Sequence, residues 1–127
     1  MRIDELLIKK GAEVFIGAPA NPLNPEATAA IASAVSSTPG VHEAHLPQVF
    51  MPGVSESPGQ VLVLVLSGST PVAQVMSELG PSLHRIIPDG VYLDVWPLPR
   101  SHHLLPAVRN AGCQIWQAPR RPWWRLW

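Results

Sequence analysis

The positions of apolar side chains predict strands at two places in the chain. In Glu13–Ala18, Val14 and Ile16 would lie on one face of a strand and Phe15 on the other. The segment Gln60–Ser67 is apolar at consecutive positions, so both of its faces would be covered. A strand covered on both faces is expected near the middle of a sheet.

Two pairs of a capping residue and a proline predict the starts of helices. Asn24–Pro25 puts a capping side chain before a proline at the first helical position, and an apolar stripe continues to about Ser36. Thr70–Pro71 repeats the pattern, and Gly80–Pro81 is expected to break this second helix, with one further turn after it. Shorter helices are predicted at Asp4–Lys10 and Leu104–Ala111.

The remaining apolar segments complete a mixed sheet. Val41–Phe50 is expected to be a strand broken near Pro47, and the turn-rich Met51–Gly59 would join it to the next strand as an antiparallel hairpin. Further strands are predicted at Val91–Trp96 and Gln114–Gln117. We therefore expect residues 1–127 to form a single α+β domain, with a mixed, mostly antiparallel β-sheet and helices packed on it.

The composition excludes several classes of protein. The 127 residues hold one cysteine, so no internal disulfide can form, and nine bases balance nine acids. A net charge of zero argues against a general nucleic-acid binder. The longest apolar run, Val61–Leu66, is too short to span a bilayer, and the N-terminus lacks a secretory signal. We expect a cytoplasmic protein with neither a nucleic-acid nor a membrane partner.

The charges are separated along the chain. All nine acids lie at or before Asp94, whereas residues 98–127 contain five arginines and no acid. The favoured interpretation is that the basic end folds back on the acidic body, so that the two fields cancel. The other interpretation is a basic patch for an acidic partner.

One pairing of side chains suggests nucleophilic catalysis. Cys113 could act with His102 or His103 if its thiol had a low pKa in a positive, partly exposed pocket. A buried structural thiol is the favoured interpretation, because the flanking residues carry no nucleophile motif. No metal site is predicted either, since His42 and His45 would point to opposite faces of a strand. We expect no cofactor.

The C-terminal segment 120–127 is the most unusual feature of the sequence. It places three tryptophans among arginines, residue types that are common at binding hot spots. It is either a last strand packed on the body or an exposed docking segment. The candidate binding residues are Arg120, Arg121, Trp123, Trp124, Arg125 and Trp127.

Several short motifs together resemble a known bacterial family. They are "VFIGAPA" at Val14–Ala20, the helix start at Asn24–Pro25, "PGVHEAHL" at Pro39–Leu46, the apolar strand Val61–Leu66, "PDGVYLDVWPL" at Pro88–Leu98 and the closing Pro122–Arg125. In this order and spacing the sequence resembles the C-terminal domain of the enhanced serine sensitivity protein family, SseB. It departs from the family at Trp123 and Trp124, where Phe-Tyr is usual, and the N-terminal domain often found in the family is not in this chain.

The resemblance implies an α+β module with no established reaction and no catalytic residues. Domains related to this family look like partners or immunity-type proteins of bacterial toxin systems. We therefore expect a non-enzymatic protein-interaction module that docks through its C-terminal tail and an apolar sheet edge. The partner would be another protein or a second copy of this chain. The alternatives are an immunity or chaperone-like protein that binds a toxin or secretion component, or an enzyme that uses Cys113.

Overall fold

The computed structural model of the protein describes residues 14–52, 59–89, 91 and 93–119. In this part of the chain six strands and three helices alternate. They are β1 (Phe15–Gly17), α1 (Pro25–Ser36), β2 (Val41–His45), β3 (Gln48–Phe50), β4 (Gly59–Leu66), α2 (Val72–Ile86), β5 (Asp94–Pro99), α3 (Leu105–Asn110) and β6 (Gln114–Gln117). The helix predicted at Asp4–Lys10, most of the loop predicted at Met51–Gly59, and the segment 120–127 lie outside the described residues.

Strand β4 is the centre of the sheet, as its apolar sequence predicts. Residues 61–66 are all buried. On one edge β4 pairs antiparallel with β2 and β3, and on its other edge it pairs parallel with β5. The remaining pairs, β1 with β3 and β6 with β2, are antiparallel. The mixed, mostly antiparallel sheet and the α+β class are thus confirmed.

Strands β2 and β3 form one interrupted strand along β4. His45 lies opposite Val63, and Gln48 lies opposite Gln60, so both strands keep the same register. The interruption falls at Leu46 and Pro47, because proline has no N–H for the ladder. The break and the hairpin are therefore confirmed. One consequence is that β6 and β1, which pair with β2 and β3 respectively, lie on the same side of the sheet.

The two faces of the sheet have different cores. Leu62, Leu64 and Leu66 of β4 pack with buried residues of α1 and α2. Val63 and Val65 face the other way, into a cluster that includes residues of β5 and α3. The division follows from the strand period of two, which sends successive side chains to opposite faces.

Helix α1 forms as its sequence predicts. The Asn24 side chain accepts a hydrogen bond of 2.7 Å from the N–H of Ala27, and Pro25 occupies the first turn. Ala27, Ile31 and Val35 are buried at helical spacing. The cap satisfies one of the N–H groups that a helix start leaves without an intrahelical partner.

Helix α2 differs from the expectation in two ways. It runs unbroken from Val72 to Ile86 through Gly80–Pro81, so the predicted break is wrong. Burial of Val75, Leu79 and Leu83 on one stripe outweighs the hydrogen bond that Pro81 cannot donate. 

The predicted threonine cap of α2 is also wrong. The N-cap residue is Pro71, with no side-chain cap. The Thr70 hydroxyl instead lies 2.7 Å from the Ser67 hydroxyl, in hydrogen-bond contact, which holds the turn between β4 and α2.

Strand β5 begins three residues later than predicted. Val91–Trp96 was the expected range, but the ladder to β4 runs from Asp94, opposite Val61, to Pro99, opposite Leu66. The strand tolerates Pro97 and Pro99 because, among the described residues, it pairs with β4 and with no other strand. The pairing partner, rather than the local sequence, decides the bounds of this strand.

Candidate functional site

The structure keeps the candidate nucleophile and its candidate bases apart. His102 and His103 precede α3, and Cys113 follows it, so a six-residue helix of about 9 Å lies between them. The Cys113 thiol donates to the carbonyl oxygen of Ala111 at 3.4 Å. Burial raises the pKa of this thiol, which keeps it protonated.

The two histidines have a structural role at the start of α3. The N–H of Leu104 donates to Nδ1 of His102 at 3.1 Å. The His102 and His103 rings are stacked with their centroids 4.5 Å apart. Within the described ranges, no group of three His, Cys, Asp or Glu side chains is placed to hold a metal ion.

An ion pair that the sequence analysis did not single out joins α3 to the sheet. Arg109 Nε donates to Glu43 Oε1 at 3.1 Å, and its Nη2 donates to Oε2 at 2.7 Å. The Arg109 side chain is 48% exposed and that of Glu43 is 16% exposed. The hydrogen bond from Arg109 lowers the pKa of the Glu43 carboxyl, and the same contact raises the pKa of Arg109.

His45 extends this pair into the core. Its Nε2 donates to Glu43 Oε1 at 3.0 Å, and the residue is buried. Nδ1 of His45 has no hydrogen-bond partner among the described residues. The sequence contains one signal for the contact between Glu43 and Arg109, because the two residues come from the two oppositely charged stretches of the chain. Their contact agrees with the interpretation that the basic end folds back on the acidic body.

The loop between β1 and α1 separates two cavities. The Gln60 side chain binds this loop to the sheet. Its Oε1 accepts from the N–H of Leu23 at 3.0 Å, and its Nε2 donates to the carbonyl oxygen of Leu46 at 3.0 Å. A cavity of about 370 Å³ lies beside Pro88 and Leu93, and one of about 220 Å³ lies beside Cys113. Among the described residues, no charged side chain lines either cavity.

The sheet exposes an aromatic pair at the edge formed by β1. Phe15 lies directly opposite Phe50 in the register of β1 and β3, so both side chains are on the same face of the sheet. These are the two phenylalanines of the chain, and Phe15 is 55% exposed. The sequence predicted that Phe15 faces away from Val14 and Ile16, which is confirmed by the packing of those two residues in the second core. The pairing of Phe15 with Phe50 could not be predicted, because it depends on a register between distant segments.

The two edges of the sheet differ in their protection. Strand β5 carries Pro97 and Pro99, and proline blocks the addition of another strand. Strands β1 and β6 have the sequences FIG and QIWQ, with neither a proline nor a charge. Among the described residues, β1 pairs only with β3 and β6 only with β2. In the described part of the chain, β1 and β6 are therefore protected against strand addition by their short lengths of three and four residues and not by proline or charge.

Comparison with known proteins leaves the chain without an assigned relative. No protein-family model, curated protein or solved structure matches it. The resemblance to the SseB family therefore stays a prediction. In the part of the chain that the structure describes, no helix is long and apolar enough to cross a membrane.

Proposed function

We propose that the protein is a non-enzymatic protein-interaction module that docks its partner at the β1 edge of the sheet. The observation that carries the proposal is the exposed Phe15, opposite Phe50 on an edge strand without charge or proline. Aromatic side chains are frequent binding hot spots, and an open edge offers backbone hydrogen bonds to an added strand. Both features serve recognition and neither requires a reacting group.

The C-terminal tail is a second proposed docking segment. Only Ala118 and Pro119 separate the end of β6 from residue 120, and that end lies beside His42 and Glu43, away from β1, which pairs with residues 48–50. The predicted contacts there are Arg120, Arg121, Trp123, Trp124, Arg125 and Trp127.

The proposal also concerns the family and the compartment. It agrees with an SseB-type module of the bacterial cytoplasm, where a single half-buried thiol such as Cys113 would stay reduced. The raised pKa of that thiol disfavours the alternative of a Cys113-dependent enzyme. An immunity or chaperone-like role would be a special case of the same docking.

The test compares two lysine substitutions at exposed apolar side chains. Phe15→Lys puts a charge on the proposed edge, whereas Val72→Lys makes the same change at the start of α2, where Val72 is 46% exposed. Tagged full-length chains are used to capture partners from a lysate of the source organism, and bound proteins are quantified against the wild type.

We expect Phe15→Lys to lose a specific partner at least about tenfold, since a charge opposes strand addition, and Val72→Lys to retain it. The proposed function is wrong if the two variants and the wild type bind the same partners equally, with both variants folded by circular dichroism.

A further inference from the structure

We draw no further inference here: the strongest candidate, the cavity of about 370 Å³ between the loop before α1 and the segment that leads into β5, is lined by Val91 and Leu93, whose chain neighbours Gly90 and Tyr92 lie outside the described residues, so nothing in the structure shows which groups complete it or what covers it.

Discussion

At the scale of single residues, the contact between Glu43 and Arg109 joins segments 66 residues apart. It is bidentate, and the carboxylate is 16% exposed beside His45, so we expect it to be stronger than a fully exposed surface pair. Because α3 has only six residues, we expect this ion pair to contribute to its position on the sheet.

A double-mutant cycle measures that contribution. Glu43→Gln keeps an acceptor for His45, and Arg109→Met keeps the apolar stem of the arginine. We expect each change to lower the free energy of unfolding by about 1–2 kcal/mol in urea titrations, with a coupling of about 1 kcal/mol. Arg100→Met, at an exposed arginine of the same basic stretch, is the control. Additive effects of Glu43→Gln and Arg109→Met would show that the contact is energetically neutral.

The same pair predicts a dependence of stability on pH. Because the folded state lowers the pKa of Glu43 below its ordinary value of 4.5, its contribution is complete above that value and is lost as the pH falls through the folded pKa. The difference in unfolding free energy between wild type and Glu43→Gln should be constant from pH 7 to about 5.5 and should shrink towards about pH 3. Glu78→Gln, at an exposed position of α2, is the control. A difference that grows on acidification would contradict this assignment.

At the scale of elements, the sequence predicts the bounds of those helices and strands that depend on neighbouring residues in the chain. The start of α1 at Asn24, the interruption at Pro47 and the bounds of β6 all follow from residues within a few positions. The bounds of β5 do not, because they depend on its parallel register with β4. For the same reason the exposed Phe15 was foreseen as a face of a strand, whereas its position opposite Phe50 needed the structure.

The sign of a change in the free energy of unfolding tests whether helix α2 is continuous through Gly80 and Pro81. Since the helix is continuous, Pro81→Ala restores a hydrogen bond to the carbonyl of Ser77 and should raise the free energy of unfolding by about 1–3 kcal/mol. Gly80→Ala, where a methyl group meets open space, should add about 0.5–1 kcal/mol. If the helix ended at Gly80 instead, Pro81→Ala would remove a stiffening proline from a loop and lower the stability. Thermal and urea unfolding distinguish the two signs.

At the scale of the whole molecule, the faces and edges of the sheet differ in how they are covered or protected against the addition of another strand. Helices α1 and α2 cover one face of the sheet, and the prolines of β5 block one edge. The side with β1 and β6 carries neither proline nor charge in its strands, and the tryptophan-rich tail follows from it. The end of β6 that precedes the tail lies beside Glu43, and β1 lies along residues 48–50, so docking through the tail and docking through β1 would strengthen each other where one partner reaches both.

That arrangement makes a prediction for Trp123 and Trp127, which separates docking from folding. If the tail docks, Trp123→Ala and Trp127→Ala should each weaken binding of the captured partner about tenfold, as expected for a hot spot. They should change the free energy of unfolding by less than about 0.5 kcal/mol, the range of surface substitutions.

Trp96→Ala is the matched control, because Trp96 is 3% exposed in the second core and its loss should cost about 3–5 kcal/mol. Unfolding and binding are measured on the same preparations of the full chain. If Trp123→Ala destabilises the protein as much as Trp96→Ala does, the tail belongs to the core, and docking is left to the three residues of β1.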